Sequence, residues 1–219
     1  MNKGFKETSL NKLIVEKRLK KYIIFVLKSL EAMKNDLIES KETLPNHEEK
    51  IRNYLKEKYL QNSEFRNLNS FNEMVRFEIE SPENYDEKSY LYVGRIDLKI
   101  LGEESLVKDE AYNVIECKRI DGKNTLNKEY IENGLKRFVT KKYSSYNNQN
   151  AMLGFVVRNI DIFENTEKIN ELQQVDKEIN VIEFEKIEKD YYLYRGRYNN
   201  GKLTILHAFS NISGVIDKK

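Results

Sequence analysis

Two alternating apolar runs, Leu91 to Leu101 and Tyr112 to Ile120, restrict this chain more than any other feature. Period-two alternation marks each run as a β-strand. The short polar connector from Gly102 to Glu110 makes them neighbours, antiparallel by expectation. In the first run, alternation places Arg95, Asp97 and Lys99 on one face and Ile96, Leu98 and Ile100 on the other. In the second, Glu116 and Lys118 share a face while Ile115 and Cys117 point away. Two carboxylates and an ammonium thus meet amid apolar strands. Burying such charges is costly unless they pair with one another or bind a metal. This pair of strands is therefore both the centre of the expected fold and the first pointer to chemistry.

The remaining segments read as support. From Ser9 to about Glu42, apolar residues recur at Leu19, Ile23, Val26, Leu30, Met33 and Leu37, a heptad-like helical stripe widened by Leu13, Ile14, Ile24, Phe25 and Leu27. A helix packed on the core and a helix that pairs two copies of the chain both fit it. Residues 1–45 are read as an N-terminal helical extension and residues 46–219 as the main domain. Pro45 stops the first helix. Asn46 is expected to cap a second, His47 to about Leu60, with Glu49 in the capping-box position. Ile51, Leu55 and Tyr59 form its buried stripe, and Glu48 lies on the same side. A first-turn acid favoured by the helix dipole explains Glu48 as well as a role in a site does.

Further along, Gln61 to Ser70 reads as loop and Phe71 to Glu80 as a strand. Leu126 to about Tyr143 is an amphipathic helix with Tyr130, Ile131, Leu135, Phe138 and Val139 inward. Ala151 to Val157 has the unbroken apolar character of a central strand, and Glu164 to Glu178 reads as a helix. Tyr191 to Arg197 and Leu203 to Phe209 form a closing hairpin about Asn199-Asn200-Gly201. The order predicts a mixed α/β fold, one sheet flanked by helices, with the long N-terminal helix added.

Composition narrows the function. Charged residues make up 34% of the 219, but the formal net charge is only +2, so any site for a polyanion must be local. One local excess exists: Tyr112 to Arg158 holds nine Lys and Arg against four Asp and Glu. No apolar run approaches the roughly 20 residues of a membrane span, and the N-terminus lacks the apolar core of a signal peptide. The single cysteine, Cys117, excludes an internal disulfide and a multi-cysteine zinc site. A cytoplasmic protein without a membrane partner is expected.

The pattern that carries chemistry is Asp97 followed by Glu116-x-Lys118 on the next strand. Glu-x-Lys also occurs from Glu39 to Lys41 and from Glu48 to Lys50, both in helical, solvated sequence. Only the copy at Glu116 lies in an apolar strand beside another that has its own aspartate. In this context the chain resembles the PD-(D/E)XK nuclease superfamily, with its restriction-endonuclease-like fold, over about Asn46 to Val157. Ile96 stands where the motif's proline would be. The resemblance implies Asp97 and Glu116 as metal ligands, Lys118 as the residue that positions or activates the attacking water, and Glu48 as the acid on the first core helix. With the Cys117 side chain turned away, its backbone carbonyl is a further ligand by expectation. Hard oxygen donors suit Mg2+, with Mn2+ as a substitute.

Lys136, Arg137, Lys141 and Lys142 follow the Glu116 strand on the outer side of the next helix. They read as phosphate contacts, the plainer alternative being a solvated helix face. The expected function is Mg2+-dependent hydrolysis of phosphodiester bonds in DNA, in restriction, defence against foreign DNA, or repair. Targeting would come from loops, from a homodimer through the N-terminal helix, or from a partner protein. Two alternatives stay open. One is a catalytically silent nucleic-acid-binding or scaffolding module of the same fold. The other is an interaction protein in which Asp97, Glu116 and Lys118 form a structural ion-pair cluster.

Overall fold

The computed structural model describes residues 3–86, 91–109, 111–141, 143 and 146–217, with side chains outside 3–11 and 83–94. Its centre is one mixed seven-stranded sheet. The strands are β1 (Arg76–Asp86), β2 (Leu91–Leu101), β3 (Tyr112–Ile120), β4 (Gln149–Val156), β5 (Val181–Lys186), β6 (Tyr192–Tyr198) and β7 (Leu203–Asn211). Their order across the sheet is β1-β2-β3-β4-β7-β6-β5. The first three strands form an antiparallel meander, β3, β4 and β7 run parallel, and β7, β6 and β5 are again antiparallel. β4 is buried along its whole length, as an unbroken apolar run on a central strand should be.

Helices cover both faces. On one lie α1 (Lys3–Ser40), α2 (Glu48–Leu55) and α3 (Ser63–Leu68); on the other lie α4 (Asn124–Tyr130), α5 (Lys136–Val139) and α6 (Ile162–Val175). Leu19, Ile23, Val26, Leu30, Met33 and Leu37 of α1 are all buried, in one cluster with Leu98, Cys117, Leu153 and Leu206 of the sheet. Burying one such side chain contributes roughly 1.5–3 kcal/mol, so six of them make α1 integral to the core. The heptad-like stripe is thus a core face within this chain. The division expected at residue 45 falls inside one packed unit, and Leu44 even forms a bridge with Ile216.

Several boundaries differ from the sequence reading, each for a local reason. Phe71 alternates with polar neighbours but belongs to no strand. It stacks on Phe25 at 3.8 Å, so the alternation there reflects burial alone. β1 begins instead at Arg76. The segment expected as loop contains α3, because the Asn62 side chain accepts from the Phe65 backbone N–H at 2.9 Å and caps it. Asn46 does not cap α2; that position falls to His47, without a side-chain bond. β5, half exposed along its length, has no clean buried period by which the sequence could reveal it.

The second layer holds a buried polar network around His207. Tyr198 donates to Gln173 Oε1 at 2.8 Å, so it accepts from His207 Nε2–H, also at 2.8 Å. That tautomer leaves Nδ1 to accept from the Tyr130 hydroxyl at 2.9 Å. The fold thus gives His207 two partners from separate elements. Burial drives its pKa down to about 3, and the ring stays neutral.

Candidate functional site

β2 and β3 pair only from Leu98 opposite Ile115 to Leu101 opposite Tyr112. Beyond that point the strands part, and a side chain takes over from the ladder: Asp97 Oδ2 accepts the backbone N–H of Cys117 at 2.9 Å. The same break reverses the facing of β2. Ile96 packs in the layer of α4 to α6, whereas Leu98 and Ile100 pack in the α1 layer. The shared face expected for Ile96, Leu98 and Ile100 therefore holds only for the last two. The charged residues converge where the two strands part.

Lys118 stands in the opening. Its ammonium donates to the Cys117 carbonyl at 2.8 Å, to Glu116 Oε1 at 2.9 Å and to Glu48 Oε1 at 3.1 Å, with Asp97 Oδ2 at 4.0 Å. The fold therefore brings together Glu48, Asp97, Glu116, Cys117 and Lys118. Glu48 is held from both sides, because its Oε2 also accepts the backbone N–H of Arg119 at 3.2 Å. That bond is tertiary, so Glu48 is more than a first-turn acid.

Two arginines complete the charge balance. Arg52 follows Glu48 by one helical turn and is almost fully buried. It donates to Asp97 Oδ1 at 2.7 Å and to Glu80 at 2.8 Å, and Glu80 also pairs with Arg95. Arg137 donates to Glu116 Oε1 at 2.7 Å, and the Tyr143 hydroxyl reaches Glu116 Oε2 at 3.1 Å. The sequence reading missed Arg52 and Tyr143. The spacing from Glu48 to Arg52 could have flagged Arg52, since residues four apart share a helix face. Tyr143 had no comparable signal.

Burial and then the Asp97 charge push the Glu116 carboxyl up to about 7, against the pull of Lys118 and Arg137. Glu116 has no exposed surface, and desolvation of a carboxylate outweighs two cationic neighbours. For Lys118 the balance tips the other way. Burial works to lower its pKa, but Glu116, Glu48 and Asp97 hold it up at about 12. Burial also pushes the Cys117 thiol well up, consistent with a core group.

The basic face expected on the following helix divides. Lys136 is bound by Glu132, Asp176 and Glu178 at 2.7–2.8 Å, which corrects its reading as a phosphate contact: three carboxylates already surround it. Arg137 pairs with Glu116 while 29% of its side chain stays exposed. Lys141 is exposed beyond the end of α5, and Lys142 lies outside the described residues. The cause is a change of pitch. Ile131–Leu135 forms a π-helical turn between α4 and α5, rotating the residues after it relative to an ideal α-helix. Gly134 sits in that turn, where an added Cβ would lie 2.5 Å from Met152 Cε and 3.5 Å from Lys118 Cγ. A larger residue would need the flexible Met152 tip to shift, whereas its contact with Lys118 would be ordinary packing.

A cleft of about 470 Å3 opens over the cluster, lined by Glu48, Lys118, Arg119, Glu129, Asn133 and Arg137 among others. Among the described residues, no group of three or more His, Cys, Asp and Glu side chains is arranged to hold a metal ion. The oxygens expected as ligands instead surround the Lys118 ammonium. The donor chemistry nonetheless suits a hard cation: three carboxylates and a backbone carbonyl converge on one positive centre. Comparison with protein-family models, with curated proteins and with solved structures gives no match.

Proposed function

We propose that this protein is a metal-dependent phosphodiester hydrolase acting on nucleic acid, with DNA the preferred substrate. The observation that carries the reading is the convergence of Glu48, Asp97, Glu116 and the Cys117 carbonyl on one cation, the Lys118 ammonium, at the mouth of a cleft. Asp97, Glu116 and the carbonyl would hold Mg2+ or Mn2+ once Lys118 turns toward the cleft. The bound ion supplies charge neutralisation at the phosphate and acidifies water.

The chain's own groups do the rest. Lys118, protonated across the neutral range, donates to a phosphate oxygen or orients the attacking water; it does not serve as the base. Glu48 holds that ammonium at the mouth. Arg137, at the rim of the cleft, can leave Glu116 for the phosphate and offset its developing charge. Arg52 holds the Asp97 carboxylate in place from behind. A reading as a restriction-endonuclease-like defence or repair enzyme rests on the resemblance carried by these same residues.

One observation favours a second reading, a non-catalytic nucleic-acid-binding module: each carboxylate of the cluster already has a cationic partner within the chain. Mg2+-dependent cleavage of labelled single-stranded, duplex and RNA substrates separates the two. Cleavage lost in both Asp97→Asn and Glu116→Gln supports the hydrolase. Binding without cleavage under any divalent ion leaves the module.

A further inference from the structure

A second cleft, of about 670 Å3, lies between the end of α5 and the β6–β7 turn. Its lining differs in kind from that of the first. Lys141 and Lys202 contribute positive charge, and Asn148, Asn180, Asn199 and Asn200 contribute carboxamides. Phe138, Tyr143 and Leu203 form an apolar wall, and no carboxylate occurs among the described lining residues. Neither lysine ammonium nor the Asn148 carboxamide has a side-chain partner among the described residues.

The cleft is held open by its own bonds. Asn199, Asn200 and Gly201 take consecutive left-handed conformations, with φ of 53°, 57° and 74°. Asn tolerates that region and Gly favours it. Asn199 donates to the Val139 carbonyl at 3.1 Å, tying the turn to α5, and Asn180 donates to Asn200 Oδ1 at 3.3 Å. After these bonds, Asn180 keeps its carbonyl oxygen, Asn200 its amide group and Asn148 both. Donors and acceptors thus face one space, beside two cations and an apolar wall. Tyr143 links this space to the first site, since its ring lines the cleft while its hydroxyl bonds Glu116.

We infer that this cleft binds a nucleotide of the substrate strand next to the one whose phosphate reaches Lys118. A nucleoside phosphate matches the lining group by group: phosphate to the lysines, base edge and sugar to the carboxamides, base face to the apolar wall. A peptide carboxylate would use the lysines and leave most of the carboxamides unpaired. This inference rests on the reading of the protein as acting on nucleic acid, but it needs no cleavage.

The test uses the full chain in EDTA, where cation-dependent chemistry is silent. The probes are a fluorescein-labelled single-stranded octadeoxynucleotide and the four deoxynucleoside 5′-monophosphates, followed by anisotropy and competition at several salt concentrations. The wild type should bind the oligonucleotide. Lys141→Ala with Lys202→Ala should weaken it about tenfold or more and lower the salt slope by roughly 1.4, since each phosphate neutralised on a single strand adds about 0.7. Asn148→Ala with Asn180→Ala should weaken it with the slope unchanged. Absence of oligonucleotide binding, or wild-type affinity in both double variants, overturns the inference. So does mononucleotide binding as tight as that of the oligonucleotide, which would make the occupant a free nucleotide. Binding that responds to these variants, in a protein that cleaves nothing in Mg2+, supports the cleft while removing the hydrolase reading.

Discussion

The Lys118 ammonium lies 2.9 Å from Glu116 Oε1, two residues away on the same face of β3, and together they set the electrostatics of the site. Glu116 is fully buried and its carboxyl is pushed up to about 7; Lys118 is held protonated by three carboxylates. One group is poised to change charge near neutrality and the other is not. Both the expected chemistry and its pH dependence follow from that difference.

Cation binding should therefore be proton-linked. Mg2+ or Mn2+ requires an ionised Glu116, so affinity measured calorimetrically should rise with pH up to about 7 and level off above it, with proton release below. Stability should run the opposite way without metal. A folded-state pKa raised above the unfolded value gives a contribution complete below about pH 4.5 and lost as pH rises through about 7. Wild type minus Glu116→Gln in EDTA should show that decline. A flat difference across pH 4.5 to 7 would contradict the raised pKa.

Asp97→Ala should abolish cleavage and also destabilise the fold. Removing one of two like charges would by itself relieve repulsion, but Asp97 also neutralises the nearly buried Arg52 and satisfies the Cys117 N–H. Breaking a buried pair on one side costs about 3–5 kcal/mol. Thermal melts in EDTA should show a lowered midpoint for Asp97→Ala and a smaller loss for Asp97→Asn, which keeps an acceptor. A rise in midpoint for Asp97→Ala would show that repulsion dominates.

Lys136 and Lys141 should separate in a DNA titration, although they lie five residues apart. Lys136 is bound to Glu132, Asp176 and Glu178; Lys141 is exposed. Lys136→Ala should leave the salt dependence of duplex affinity unchanged. Lys141→Ala should reduce the slope by about 0.9, the share of one phosphate. Equal effects would mean that the carboxylates release Lys136 to the nucleic acid.

His207 should stay neutral with its proton on Nε2 from pH 8 to pH 5, as two-dimensional nitrogen-15 NMR of the ring can read. Its pKa is depressed by burial to about 3, so the stability it contributes is complete above about 6.5 and is lost as pH falls toward 3. A ring titration near 6.5 would mean that the network with Tyr130, Tyr198 and Gln173 opens in solution.

Ile23→Glu with Leu30→Glu should unfold the protein and not yield a soluble monomer. Both side chains are buried against the sheet within one chain, and two unpaired carboxylates there cost several kcal/mol. A folded, soluble double variant by circular dichroism would restore the helix as a seam between copies.

An unbroken apolar run located β4, and periodicity located β2, β3 and the closing hairpin, because a strand's faces are written every second residue and burial follows them. It also located the α1 stripe, and it singled out Asp97, Glu116 and Lys118, since charge inside an apolar strand stands out without knowledge of the fold. What covers the α1 stripe was not in the pattern: core and dimer seam share a period, and only packing against the sheet separates them. The parting of β2 and β3 was equally hidden. It depends on a side chain replacing a ladder bond between residues 20 apart. Arg137 and Lys136 show the limit most plainly. They are adjacent and identical in charge, yet a π-helical turn and the end of α6 send one to Glu116 and the other to Asp176. Local sequence sets which faces exist; long-range packing decides which charges meet, because an ion pair's partner is chosen by where two elements come to rest.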